Sequence, residues 1–593
     1  MQYPEFNTKE LYQYIENNPF ILEVEKKYRE SGDYTLTEFE NEYLLKNFKF
    51  KPYEFKNLTL EVGKITEKRI QTDFNLERPI KEVTINTIVG ETDEWYHVSF
   101  RNNDKQTYFW LSKEEVGDLY EKNYSRFPVD FEKLELNFAN KSLYDHQKLA
   151  VQFLLHNQQC FLMDTVGAGK TYSSIAATIA AECKKVLIIC IAGKQIDWRK
   201  ELKHWNQDSK IIWGESGWIK DKVTYTIIGC DVLQAYHEPA KGKKKGKTPL
   251  YDEGYDCVII DEIQKFRNPK AKKSVVLRAL TEHPNVKYVW GMSATAIEKN
   301  ENFFDICRNI NLSVSDLIYT PKDYHFVEWY PKYEEFAKRY CGAFLQNGKA
   351  GAKKFLRKLG NTNTYELAQR IRFIQRRRRT EKMIEGFPEK IISELYFELT
   401  STQTINASEI YDNYMKKKGD RSAAEVRDLV ESILLRQYYA IQKAEHTAKS
   451  ILSSIEDEKN CLVFTNFKEE YQILKKALGK HAVCVDSGQD GIKRQAAIDE
   501  YMNNPEKKVL LGNLDSIGTG LNITKADIVY FNSPSWSSDK HEQAEGRTWR
   551  IGRKNDVEIY YCLFDGTIEE DVYAVANSKQ LNRNIFYGEH LES

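Results

Sequence analysis

The sequence predicts an α/β protein made of two parallel-sheet lobes with helical insertions, preceded by a small α+β module. Two alternating series of apolar strand-like runs and helical stretches predict the lobes. The first runs through Val186-Leu-Ile-Ile-Cys190, residues 224–228, Cys257-Val-Ile-Ile260 and Tyr288-Val-Trp290, and the second through Cys461-Leu-Val-Phe464, Ala482-Val-Cys-Val485, Lys508-Val-Leu-Leu511, residues 527–531 and residues 557–561. Strands that are apolar throughout are buried on both faces, and helices between them imply parallel pairing. A chain of 593 residues also exceeds what one hydrophobic core serves.

Residues 1–136 form the accessory module. Its start has helical spacing in Leu11, Ile15, Phe20, Ile21 and Val24, and from about residue 58 to 112 the pattern turns to period two. Three strand-like runs, residues 81–89, 94–100 and 106–111, are separated by turn-rich Gly90-Glu-Thr-Asp93 and Asn102-Asn-Asp104, which reads as an antiparallel meander. Ser112-Lys-Glu-Glu115 has the form of a capping box. The aromatics Trp95, Tyr96, Tyr108, Phe109 and Trp110 suit either the core of so small a sheet or stacking on bases. Lobe one spans residues 137–375, a junction with a helical insertion 376–448, and lobe two 449–593. Residues 311–450 read mostly helical. The basic run Lys241-Gly-Lys-Lys-Lys-Gly-Lys247 is a solvated loop or a phosphate contact.

Chemistry concentrates in three places. Asp164-Thr-Val-Gly-Ala-Gly-Lys-Thr171 follows the apolar run Cys160-Phe-Leu-Met163 and opens a helix, the context of a phosphate-binding loop. Gly167 and Gly169 let backbone N–H groups meet phosphate oxygens, Lys170 reaches the β and γ phosphates of ATP, and Thr171 ligates Mg²⁺. Ninety residues on, Asp261 and Glu262 end a buried strand. Carboxylates there are costly unless they serve a site, so Asp261 is assigned to Mg²⁺ and Glu262 to the attacking water. Arg547 and Arg550 in Gln543-Ala-Glu-Gly-Arg547-Thr-Trp-Arg550 are three apart, on one face if the segment is helical, and would bring guanidinium charge to the γ phosphate from the second lobe.

Composition limits the partners. Lys plus Arg and Asp plus Glu both number 87, so nucleic acid would need a local basic patch. The ten cysteines include no Cys-x-x-Cys pair, which argues for reduced buried thiols over disulfides or zinc. No run approaches a membrane span and the N-terminus lacks a signal pattern, so a soluble cytoplasmic protein is expected.

From about residue 140 onward the motifs resemble, in order, those of the Swi/Snf-type ATPases of helicase superfamily two. Leu143-Tyr-Asp-His-Gln147 is similar to the family's adenine-reading segment, which puts Gln147 among the nucleotide contacts together with Asp164, Thr165, Val166, Gly167, Ala168, Gly169, Lys170, Thr171 and Gln543. Asp at the first loop position is usual there. Trp198 to Trp205, Asp261-Glu-Ile-Gln264, Ser293-Ala-Thr295, Arg378-Arg-Thr-Glu-Lys382 with Phe387-Pro-Glu-Lys390, Leu462-Val-Phe464, residues 516–522, Ser533-Pro-Ser-Trp536, residues 543–552 and Gly566-Thr-Ile-Glu-Glu570 match the rest. Gln264 replaces the usual histidine, Ser293-Ala-Thr295 the commoner Gly-Thr-Pro, and Arg553 a glutamine; none of these removes a catalytic group. Phe336-Ala-Lys-Arg-Tyr-Cys341 looks most like the annealing-helicase, fork-remodelling branch.

The resemblance implies two RecA-like lobes closing on ATP and Mg²⁺ and stepping along duplex or forked DNA, with phosphate contacts rather than base readout. It also places Thr295, Ser516, Gly518, Thr519 and Gly520 near the DNA backbone. The run Arg376–Arg379 would meet phosphates or form a hinge between the lobes. Residues 1–136 lie outside the match and would grip DNA, dock a protein partner or inhibit the motor. The lean architecture suits a prokaryotic or viral owner. The competing readings are a strand-separating DNA or RNA helicase and a catalytically quiet nucleic-acid-binding scaffold.

Overall fold

The computed structural model describes residues 53–587 except 74–79, 92–93, 103–104, 137–141, 215–222, 237–248, 298, 313–332, 347–354, 359, 363, 418–429, 487, 490 and 518–522. The helical spacing at Leu11 to Val24 and the basic run 241–247 lie outside the described residues. The N-terminal module is a four-stranded sheet in sequence order, β1 (Tyr53–Glu61), β2 (Glu82–Glu91), β3 (Trp95–Asn102) and β4 (Lys105–Ser112), antiparallel throughout. Alternation sorts its aromatics: Tyr96 and Phe109 join Leu58, Ile85, Val98 and Leu111 in the core, while on the other face His97 stacks on Trp110 at 4.4 Å. Arg69 lies over Trp95 at 4.6 Å. The turn of helix at Lys113–Val116 is capped by Ser112, but Glu115 does not close the box. Its carboxylate instead accepts from the backbone of Ile65 and Thr66, capping the helix Lys64–Asp73 that the period-two pattern had concealed.

Lobe one is a seven-stranded parallel sheet. It contains β5 (Gln159–Leu162), β6 (Val186–Cys190), β7 (Ser209–Ile212), β8 (Tyr225–Gly229), β9 (Cys257–Asp261) and β10 (Tyr288–Met292). A small antiparallel pair, β11 (Phe344–Gln346) and β12 (Phe355–Arg357), stands apart, and β13 (Gln375–Arg376) returns to the main sheet, whose order is β13-β5-β10-β9-β6-β8-β7. The continuous apolar runs have the expected cause. Leu187 and Ile189 of β6 enter one core, and Val186, Ile188 and Cys190 enter the core on the opposite face. Phe336, Ala337, Tyr340 and Cys341, read as a subfamily signature, pack into the first of these cores.

Lobe two is a six-stranded parallel sheet in the order β14-β19-β18-β15-β17-β16, from β14 (Lys390–Phe397), β15 (Cys461–Thr465), β16 (Ala482–Val485), β17 (Val509–Asn513), β18 (Ile528–Phe531) and β19 (Val557–Phe564). Two parallel-sheet lobes, as the sequence predicts, are therefore present. Residues 311–450 are less uniformly helical than the periodicity suggests: β14 lies there, pairing with β19 over its whole length. It is an edge strand with Ile391, Ile392 and Tyr396 exposed, so it lacks the buried run that marks an inner strand. Edge strand β7 escaped notice for the same reason. The ten cysteines form no disulfide, and eight of them are buried. Among the described residues no helix is long and apolar enough to cross a membrane.

Candidate nucleotide site between the lobes

The phosphate loop joins β5 to the helix Lys170–Ala180. Gly167 and Gly169 have φ of +86° and +81°, a region L side chains rarely adopt. A Cβ on Gly169 would also lie 2.1 Å from Gln147 Nε2. Gln147, at the start of the helix Asp145–Asn157, donates through Nε2 to the Ala168 carbonyl at 3.4 Å and accepts the Tyr144 N–H at 3.1 Å; His146 meets the same Ala168 carbonyl at 3.0 Å. Lys170 curls over the loop and donates to the carbonyls of Asp164 and Thr165 at 2.6 and 3.0 Å. Burial pushes its ammonium down to about 8, against the pull of Asp164 and Glu262.

Asp164, the departure from a glycine at the loop's first position, does not face the loop's interior. Its buried carboxylate pairs with the equally buried Arg376, whose Nη2 donates to the His146 carbonyl at 2.9 Å. The arginine run is a structural staple: Arg377 donates to the carbonyls of Met163 and Ala294 at 2.8 and 2.7 Å and pairs with Glu542 of lobe two at 3.6 Å. Arg378 binds Glu121 at 2.6 Å and Asp118 at 3.0 Å in the N-terminal module. Backbone bonds from Met163 to Arg376 and from Thr165 to Arg378, with Thr380 Oγ1 against Thr165 Oγ1 at 2.8 Å, seat the loop on the junction. Of the two readings of Arg376–Arg379, the geometry favours the junction.

Asp261 and Glu262 end β9. The sheet order puts β10 between β5 and β9, so the carboxylates face the loop across one intervening strand. Asp261 Oδ2 accepts from Trp198 Nε1 at 3.0 Å and from Lys194 Nζ at 3.3 Å. Glu262 Oε1 accepts from Lys194 at 2.9 Å, and Oε2 from Gln264 and, at 3.5 Å, from Gln543 of lobe two. Glu262 has φ +57° and ψ 54°, left-handed for a non-glycine residue, as is common at functional turns. Burial alone would raise its carboxyl, but Lys194 and Lys170 hold it down to about 2, ionised at neutral pH. Lys194 was missed in the sequence, although a lysine directly after a parallel strand, in Ile191-Ala-Gly-Lys194, sits where such sheets place ligands.

The helix Ser538–Glu545 of lobe two lies against this surface. Asp539 pairs with Arg267 at 2.7 Å, and Gln543 Nε2 donates to Thr295 Oγ1 at 3.1 Å. That helix ends at Glu545, so Arg547 and Arg550 lie in the turn beyond it and not on a helix face, and there the two lobes pack closely. A Cβ on Gly546 would lie 2.3 Å from Val166 Cγ1, and one on Gly167 would lie 2.8 Å from Arg550 Cβ. Arg547 is buried, and burial together with Arg550 brings its guanidinium down to about 10, while Glu262, Asp197 and Asp261 oppose the shift. Burial lowers Arg550 as well, with Glu201 and Tyr172 beside it.

The predicted residues are thus brought to one cleft: Gln147, residues 164–171, Asp261, Glu262, Gln543, Arg547 and Arg550. Thr295, expected beside DNA, is fully buried and spends its hydroxyl on Gln543. Ser516 is buried in the short helix Leu514–Ile517, and Gly518, Thr519 and Gly520 lie outside the described residues. The loop fits a polyphosphate: two glycines hold left-handed φ, an eleven-residue helix points its N-terminus at the loop, and a lysine reaches over it. Asp261 and Thr171 are the residues that would hold magnesium.

A family model described as the helicase conserved C-terminal domain matches residues 442–552, which take in β15 to β18 and the arginine segment of lobe two. The human DNA annealing helicase and endonuclease ZRANB3 is 23% identical over 452 residues, covering 74% of this chain and 40% of that protein. The chain is thus similar to ATPases of the Swi/Snf type and carries part of a helicase C-terminal domain. An uncharacterised ATP-dependent helicase of Mycoplasma genitalium, MG018, is 22% identical over 485 residues, covering 77% of this chain and 43% of that protein. The chain spans about two fifths of the length of these curated relatives. The Sulfolobus solfataricus SWI2/SNF2 ATPase core in complex with dsDNA shares 21% identity, covers 76% of this chain and 94% of its own, and has a TM-score of 0.35.

Proposed function

We propose that the protein is a DNA-dependent ATPase that translocates on duplex or branched DNA and remodels DNA or protein–DNA complexes. The observation that carries this is the packing of Gly546 and Arg550 of lobe two on Val166 and Gly167 of the phosphate loop, which sets Arg547 beside Asp261 and Glu262. Neither lobe holds a complete site alone. The loop amides and Lys170 bind the phosphates, ionised Glu262 orients the attacking water, and Arg547 and Arg550 meet charge developing on the γ phosphate. Bound magnesium would neutralise phosphate charge, with Thr171 and Asp261 as its protein ligands. Because the arginines arrive with lobe two, turnover depends on lobe closure, and a DNA that favours closure accelerates it.

Support for DNA comes from the relatives' described activities and from the family's ordered motifs. The test is ATP turnover measured in parallel with no nucleic acid, single strands, duplex, forked DNA and RNA, together with strand displacement. Stimulation by duplex or forked DNA without efficient strand separation is expected. Stimulation by RNA, or efficient unwinding, would favour a helicase of another branch, and no hydrolysis with any of them would leave a binding scaffold.

A further inference from the structure

We propose that Lys194 is a positioning residue of the hydrolytic site: an internal cation that holds Glu262 in register and competes with the metal ion for Asp261. This rests on the reading of the cleft as a site of ATP hydrolysis. Lys194 closes the short turn Ala192–Lys194 between β6 and the helix Gln195–His204, and its side chain is one-fifth exposed at 20%. The ammonium bridges the two carboxylates, 2.9 Å from Glu262 Oε1 and 3.3 Å from Asp261 Oδ2.

The pattern of donors is asymmetric. Trp198 Nε1 and Lys194 both meet Oδ2 of Asp261, so Oδ1 is the oxygen that would take a metal ion. On Glu262 the lysine takes Oε1 while the amides of Gln264 and Gln543 take Oε2, so the carboxylate is gripped from both lobes. Two adjacent buried carboxylates repel unless a cation stands between them, and Lys194 is that cation. A divalent ion held by Asp261 would repel the ammonium, so Lys194 would keep its bond to Glu262 and give up the one to Asp261. Its removal therefore has two effects of opposite sense. Metal binding gains from the loss of a competing positive charge, while turnover loses the group that orients the base.

A lysine that merely fastened the helix Gln195–His204 would lower stability without strengthening metal binding. The test uses the full chain with Lys194→Gln, which removes the charge and keeps a donor, and Lys194→Arg, which keeps the charge; Lys194→Met replaces the Gln variant if that does not fold. Mn²⁺ affinity in the presence of saturating ADP, kcat and KM for ATP with duplex DNA, and the melting temperature are measured. The uncharged variant is expected to bind Mn²⁺ about threefold or more tighter. Its kcat should fall about tenfold or more with KM little changed. Lys194→Arg should keep wild-type Mn²⁺ affinity within about twofold. Unchanged or weaker Mn²⁺ binding in a folded uncharged variant overturns the proposal. A wild-type chain that neither binds ADP nor hydrolyses ATP overturns the nucleotide reading instead, so the two failures are distinguishable.

Discussion

Gly546→Ala isolates the contact on which the proposed hydrolysis depends. Gly546 has φ −68° and ψ 4°, which alanine adopts without strain, so the substitution acts through what the new methyl meets. That methyl would lie 2.3 Å from Val166 Cγ1 and 2.6 Å from Val166 Cβ. Ordinary carbon contacts are about 3.5–4.0 Å, so the loop and the arginine segment must separate by roughly 1 Å or more. A displacement of that size in a preorganised site costs on the order of 10- to 100-fold in rate. We expect kcat for ATP in saturating duplex DNA to fall by that amount, with nucleotide affinity changed less than about threefold, because the cradle lies wholly on lobe one. The melting temperature should stay near wild type. Adding Val166→Ala removes the nearer of the two clashing atoms and should restore part of the rate, a coupling that a double-mutant cycle reads directly. Wild-type turnover in Gly546→Ala, or no coupling to Val166→Ala, would refute the idea that catalysis requires this approach.

Three further outcomes are expected. Arg550→Ala should lower kcat by about 10³-fold while weakening ATP binding far less, checked by steady-state kinetics beside fluorescent-nucleotide titration; equal losses would mean the arginine is a ground-state ligand. Burial places Lys170 at about 8, below the usual lysine value, so the folded chain sheds this proton at a pH where the unfolded chain keeps it. The charged form therefore opposes folding below about pH 8 and the penalty is relieved as pH rises from there toward 10.5, while nucleotide affinity, which needs the ammonium, declines above pH 8. Titrating nucleotide affinity against pH should show that decline in the wild type and not in Lys170→Arg. Asp118→Asn keeps the cap on the helix Leu119–Tyr124 but weakens the pairs with Arg372 and Arg378, whose charges hold the Asp118 carboxyl well below its usual range. It should cost about 1 kcal/mol, discounted for partial exposure, and speed limited proteolysis between the N-terminal module and lobe one; unchanged proteolysis would show that other contacts hold the module.

What the sequence made legible follows from what burial demands. Inner strands such as β6 and β15 sit between two apolar layers and announce themselves as unbroken Val, Ile, Leu and Cys runs, whereas edge strands β7 and β14 carry no such demand. Asp164 to Thr171, Asp261, Glu262, Arg547 and Arg550 were readable because phosphate chemistry restricts residue type and spacing. Lys194 was not, and Arg376 and Arg378 were legible only as one of two readings, because their partners lie 67, 212 and 257 residues away in sequence. Thr295 was expected near the DNA backbone, yet its hydroxyl is buried against Gln543.

The central claim is that one nucleotide is held by a cradle on lobe one and answered by guanidinium groups from lobe two. A crystal structure with ADP and a phosphate mimic such as beryllium fluoride tests it most directly. The account predicts the mimic within hydrogen-bond reach of Lys170 and of Arg547 or Arg550, about 3 Å. A mimic seated in the loop with both guanidinium groups turned to solvent would contradict it.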